Sequence, residues 1–170
     1  VRVGNQENVL PSTHTDIGTA AFAYCESLPS IKLPDSITEI KDKAFYGCAY
    51  LTEITIPAGV TRLGNQAFMG CTSMKSVELK SVGGALDIGN GAFSYCSSLT
   101  ALTLPSCVTS IGDNAFAYSA LKELAVKGKN VTVGENAFKG CNNLVVDVDM
   151  SSETYNNLVE AGLGNSNFKN

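Results

Sequence analysis

The 170-residue chain has no tryptophan, a single histidine and only 16% charged side chains. A lone histidine without a C-x-x-C pair leaves no recognisable zinc site, and neither metal nor cofactor is expected. The net charge of −4 and a pI near 4.9 supply no basic face for a phosphate backbone. That excludes nucleic acid as a partner and disfavours anionic membrane surfaces. No apolar run is long enough to span a bilayer. No charged segment followed by an apolar one opens the sequence, so an export signal is expected to have been removed or never present. G-x-S-x-G elbows, phosphate loops and dinucleotide fingerprints are missing as well, and an enzyme is not expected.

What the chain has instead is period. Ala-Phe occurs six times, ending at Phe22, Phe45, Phe68, Phe93, Phe116 and Phe138, at intervals of 23, 23, 25, 23 and 22 residues. A period in the twenties marks a solenoid whose coils must stack to bury their apolar faces. Other residues keep phase with the phenylalanine. Cys25, Cys48, Cys71, Cys96 and Cys141 follow it by three, with Ser119 in the fifth unit. Then come Leu28, Leu51, Met74, Leu99, Leu121 and Leu144, and pairs spaced by two: Ile31 and Leu33, Ile54 and Ile56, Val77 and Leu79, Leu102 and Leu104, Leu124 and Val126. That spacing puts both apolar residues on the inner side of a strand. Pro11, Pro34, Pro57 and Pro105 open the next turn, and a second apolar pair such as Ile37 and Ile40 or Val60 and Leu63 follows. The segment from Gly64 to Cys71 lacks β-branched residues and predicts a single helical or 3₁₀ turn at the opposite edge.

The unit A-F-x-x-C-x-x-L-x-x-I-x-I-P-x-x-V-T-x-I-G, as in Ala44-Phe45 through Gly64, resembles the BspA-like class of leucine-rich repeats, over roughly residues 9–150. The resemblance implies an α/β solenoid, a right-handed leucine-rich-repeat superhelix of about six coils of about 23 residues, with a parallel sheet on one face and short helical turns opposite. It also implies a cell-surface or extracellular binding module of the adhesion type. Three departures stand out: Ser119 at the cysteine position, two extra residues around Gly83-Gly84, and Asp147 and Asp149 where apolar strand residues are expected.

The array is expected to occupy residues 1–150, its first repeat partial and residues 1–6 the remains of a preceding strand. Residues 151–170 are expected to form a cap: Ser151 or Ser152 begins a helix over 153–161, Tyr155, Leu158 and Val159 share its buried face, and Gly162 stops it. One cysteine per coil reads as a buried line of free thiols, since stacked side chains point in parallel and miss the torsion a disulfide needs. Cys107 lies out of register and is predicted to be the exposed thiol. His14 takes the slot of Ile37, Val60 and Val108 and is predicted to be a partly buried structural residue. Gly64, Gly112 and Gly134 are assigned to tight or positive-φ turns. Asp16, Glu39 and Asp87 fall near the second strand of different coils, with nothing to set one carboxyl apart as an acid. Tyr24, Tyr95 and Tyr118 are predicted to pack over the turn.

Outward positions beside the inner Leu and Ile residues form the candidate ligand-binding face: Thr52, Glu53, Thr55, Lys75, Glu78, Thr100, Thr103, Lys122 and Glu123. Lys32, Lys75, Lys80, Lys122 and Lys127 recur there with Glu53, Glu78 and Glu123 between them, a mixed rather than anion-binding stripe. The expected partner is an extracellular protein or glycan, bound by a monomer. The alternative is a structural spacer within a larger surface protein, and a carbohydrate-active enzyme is a distant third.

Overall fold

The computed structural model describes residues 8–80 and 84–169; the expected strand remnant at residues 1–6 lies outside them. The strands, in chain order, are β1 (Asp16–Ile17), β2 (Glu39–Ile40), β3 (Glu53–Ile56), β4 (Arg62–Leu63), β5 (Ser76–Leu79), β6 (Leu86–Ile88), β7 (Ala101–Leu104), β8 (Val108–Ile111), β9 (Glu123–Val126), β10 (Thr132–Val133) and β11 (Val145–Val148). All pair in parallel, one strand of a kind per coil. The short strands form a continuous sheet in the order β1-β2-β4-β6-β8-β10, with Ile17, Ile40, Leu63, Ile88, Ile111 and Val133 in register. This is the parallel solenoid of about six coils that the spacing predicts.

The longer strands behave differently. β3 pairs with β5, and β7, β9 and β11 form a separate sheet. The break between β5 and β7 falls where the phenylalanine interval is 25 rather than 23 residues. In the first coil Lys32 bridges Val9 rather than joining β3. Pro29 and Pro34 bracket that segment and remove two N–H groups from the ladder. The strand face is therefore cut twice while the short-strand sheet runs unbroken.

Inside, the six phenylalanines stack with centroids 5.1 to 5.6 Å apart and ring planes within 5°. Phe45, Phe68, Phe93 and Phe116 are fully buried, whereas Phe22 at the open end is half-buried. Beside them the thiols of Cys48, Cys71, Cys96 and Cys141 each donate to the carbonyl of a phenylalanine in the preceding coil, at 2.9 to 3.3 Å. All six cysteines are free. Cys107, predicted to be exposed, is instead half-buried and packs against the core. Burial drives the thiol pKa of Cys48 up to about 11 and that of Cys96 up to about 12, and raises those of Cys71 and Cys141 as well.

The edge carrying Ala-Phe is not helical. Residues two before and two after each phenylalanine have φ between 54° and 81°, so a left-handed residue flanks it on either side. N–H groups consequently point alternately back into the turn and across to the next coil: Ala44 and Tyr46 donate to Lys41 and Lys43, while Phe45 and Gly47 donate to Ala67 and Met69. A helix would spend every N–H within its own coil; this arrangement satisfies both the turn and the stack.

Gly64, Gly112 and Gly134, assigned to tight or positive-φ turns, do not have positive φ, nor does Gly89 at the same position of the fourth coil. An added Cβ would meet atoms of the preceding coil at 2.4 to 2.7 Å. Their hydrogen permits close approach, not an unusual backbone angle. Next to them, three residues before phenylalanine, runs a ladder in which the Oδ1 atoms of Asp42, Asn65, Asn90 and Asp113 accept from the backbone N–H of Asn65, Asn90, Asp113 and Glu135, at 2.8 to 2.9 Å.

The chain ends with helix α1 (Glu153–Glu160), capped by the Ser152 hydroxyl, which accepts from Tyr155 N–H, and followed by Gly162 at φ 101°. Its inner face is not quite the expected one: Thr154 and Leu158 are buried and Val159 is 41% exposed. Thr154 donates to the Gly128 carbonyl at 2.7 Å and accepts from Val131 N–H at 2.9 Å, while the Asn157 amide donates to Val131 O. These groups of the last coil would otherwise lack a following coil to pair with. Phe168 bridges Val146 within β11. Asp147 is in register with Ala125 and points outward, and Val146 and Val148 take the inner positions. The sixth coil, like the fifth, reaches its strand one residue early, which is why counting from the phenylalanine misplaced the aspartates.

Candidate ligand-binding faces

The nine strand-face positions are arranged by the register of the longer strands. Eight are exposed and Thr55 is half-buried. Glu53 lies beside Ser76 and Thr55 beside Glu78, whose carboxylate accepts from the Thr55 hydroxyl at 3.2 Å. Thr103 and Glu123 project from β7 and β9, with Glu123 beside Ala101 and Thr103 beside Ala125. Thr52, Lys75, Thr100 and Lys122 form a separate row just ahead of the strands, linked coil to coil as Lys75 N–H donates to Thr52 O and Lys122 N–H to Thr100 O.

The two cuts in the strand face open as grooves. The first, about 560 Å³, has Lys32, Asp35, Glu53, Thr55, Glu78 and Lys80 along its walls. The second, about 380 Å³, straddles β5 and β7 and includes Val77, Glu78, Thr103, Glu123 and Asp147. Glu53, Thr55, Glu78, Thr103 and Glu123 thus line grooves, while Thr52, Lys75, Thr100 and Lys122 lie outside both linings. Lys127 pairs with Asp147 at 3.1 Å, so the face carries both signs at short range. No aromatic residue occurs in its strands.

The carboxylates Asp16, Glu39 and Asp87 fall in one row of the short-strand sheet, with Arg62 between Glu39 and Asp87. His14, predicted to be partly buried, is exposed, its Nδ1 3.3 Å from the Pro11 carbonyl. Asp16 pairs with Lys41, whose ammonium pKa that contact raises. Glu39 pairs with Arg62 at 3.0 Å, and Asp87 accepts from Thr109 and Ser110. Among the described residues no three His, Cys, Asp or Glu side chains converge as a metal site, and no helix is long and apolar enough to cross a membrane.

The turn edge presents a second surface. Tyr24 and Tyr118 lie over Gly47 and Gly140, where an added Cβ would sit 2.8 and 2.7 Å from their rings. The tyrosines do pack over the turn as predicted, yet their rings remain substantially exposed. The Asx ladder beside them escaped sequence reasoning, although an Asp or Asn three residues before phenylalanine in four consecutive units was a visible signal.

Comparison with known proteins agrees with this geometry. A leucine rich cell surface protein from Faecalibacterium prausnitzii A2-165 is 26% identical, with a TM-score of 0.61, over 84% of this chain and 48% of its own. The chain therefore spans about half the length of that protein. The leucine-rich repeat protein of T. pallidum is 24% identical over 95% of this chain and 84% of its own, with a TM-score of 0.64. The pneumococcal vaccine antigen PcpA is 19% identical over 89% and 63%, with a TM-score of 0.53; these two likenesses concern the fold. No curated protein matches the chain. The family model for the BspA type leucine rich repeat region matches residues 15–145 in six copies, the same six units counted by phenylalanine and built as six stacked coils, and the chain belongs to that family.

Proposed function

We propose that this chain is a noncatalytic binding module, displayed at a bacterial cell surface or secreted, that holds an extracellular ligand through its strand face in an adhesion-type role. The observation that carries this reading is the in-register, exposed strand face, cut into two grooves whose walls carry interleaved Lys, Glu, Asp and Thr side chains. Solenoids use such extended surfaces for recognition. Mixed charge without aromatic rings suits a protein partner better than a sugar, because charge complementarity sets the register of a protein interface. The surface location draws support from the Faecalibacterium relative, described as a cell surface protein.

The test is a screen of the purified, monodisperse domain against immobilised matrix and plasma proteins, repeated with Lys75→Glu/Lys122→Glu. The reading expects saturable binding that weakens at least tenfold in the variant. A correctly folded domain that binds nothing in the panel contradicts it and points to a spacer within a longer surface protein.

A further inference from the structure

The turn edge carries something the repeat itself does not require. The position two after phenylalanine lies in the left-handed region in every coil, and three coils fill it with Gly47, Gly70 and Gly140, which adopt that backbone freely. The other three fill it with Tyr24, Tyr95 and Tyr118, at φ 57° to 59°. A Cβ-bearing residue there is strained. Tyr95 and Tyr118 nevertheless remain 47% and 45% exposed. Five other residues with side chains, Ala20, Lys43, Gln66, Asn114 and Asn136, take the same left-handed backbone two before phenylalanine, so it is the exposed aromatic pair rather than the backbone angle that stands out.

The two rings are also organised. Tyr95 and Tyr118 stack at 5.1 Å with planes 19° apart, giving one aromatic surface across two coils. Beside them opens a cleft of about 530 Å³ that includes Met69, Asn65, Asn90 and Asp113. The ladder fixes how those polar side chains face. Asn65 and Asn90 must turn Oδ1 toward a backbone N–H, so their amide nitrogens point away, without a protein partner among the described residues. Asp113 uses Oδ1 on Glu135 N–H and keeps Oδ2 for another donor.

We propose that Tyr95 and Tyr118, with Asn65, Asn90 and Asp113, form a binding site for a neutral oligosaccharide, separate from the strand face. The Tyr95 ring, which lines the cleft, and the exposed edges of the pair offer apolar surface to the C–H groups of a sugar, and amide N–H groups and a carboxylate oxygen match its hydroxyls. Asp113 is the single charged residue among these five, so neither an anionic nor a strongly cationic ligand is favoured. Donors and acceptors repeat once per coil, as sugar units repeat along a chain.

The probe is an array of neutral oligosaccharides, followed by calorimetric titration of the best-bound member. Tyr95→Gly/Tyr118→Gly is the informative variant because glycine accepts the left-handed backbone, as Gly47, Gly70 and Gly140 do, so the fold is expected to persist without the ring stack, which thermal denaturation checks. Saturable binding of a neutral glycan that falls at least tenfold in this variant, and is unchanged in Lys75→Glu/Lys122→Glu, is the expected result. The proposal is overturned if no neutral glycan binds, if only acidic glycans bind, if the tyrosine variant binds the glycan as well as the parent, or if that variant loses affinity for a protein rather than a glycan.

Discussion

At Gly112 a methyl group would sit 2.5 Å from Asn90 Oδ1 and 2.6 Å from Asn90 N. Backbone on that side cannot yield without parting the coils, so Gly112→Ala is expected to cost about 1–3 kcal/mol, as overpacking does. At Gly18, the same position in the first coil, nothing lies within 4 Å, and Gly18→Ala should fall within about 0.5 kcal/mol of the parent. Urea denaturation of the two variants checks this, and equal effects would contradict the close-approach account. The buried thiols give a second residue-level prediction. Desolvation holds them protonated in the fold, whereas an unfolded cysteine titrates near about 8.5. A raised folded pKa gives stability that is fully present below the unfolded value and lost as pH rises through the folded one. The urea midpoint should therefore decline from about pH 8.5 toward the folded values of about 11 for Cys48 and about 12 for Cys96. Cys48→Ala/Cys96→Ala should flatten that decline; an unchanged slope would refute it. The cysteine column was legible from period alone, but its role as donor to a phenylalanine carbonyl was not, because spacing locates a side chain without naming its partner.

Among the elements, α1 was foreseen from a cap at Ser151 or Ser152, of which Ser152 serves, and from Gly162, which stops it. Its buried face was misjudged by one position, since apolar spacing favoured Val159 while the structure buries Thr154. The reason is polar: Gly128 O and Val131 N–H at the end of the stack need partners, and a threonine hydroxyl serves both. Thr154→Val keeps the shape and leaves both groups buried and unpaired, with an expected loss of about 1–3 kcal/mol. Thermal denaturation reads this directly, and a neutral effect would show that water reaches those groups. The Ala-Phe edge was likewise expected to be helical because it lacks β-branched residues. That composition equally suits a run of tight turns with left-handed residues on either side of the phenylalanine, and only the need to hydrogen-bond neighbouring coils decides between them. The two cuts in the strand face were not legible either, though one of them coincides with the 25-residue interval seen in the sequence.

For the whole molecule, one phenylalanine spine and one continuous short-strand sheet tie six coils into a single core, and period and family were both readable before any coordinate. The candidate site was legible as a set of outward positions, but not as two grooves with a separate row outside them, nor as a face distinct from an aromatic edge. The strand face is charged and lacks aromatic residues in its strands; the turn edge carries stacked tyrosines and amides. The two proposals accordingly place different ligands on different sides of one solenoid. The most direct measurement is biolayer interferometry of the parent, Lys75→Glu/Lys122→Glu and Tyr95→Gly/Tyr118→Gly against immobilised matrix and plasma proteins. Saturable protein binding that is lost in the lysine variant and kept in the tyrosine variant is the predicted result. Absence of binding by the folded parent, or equal binding by the parent and the lysine variant, would contradict a strand-face recognition module.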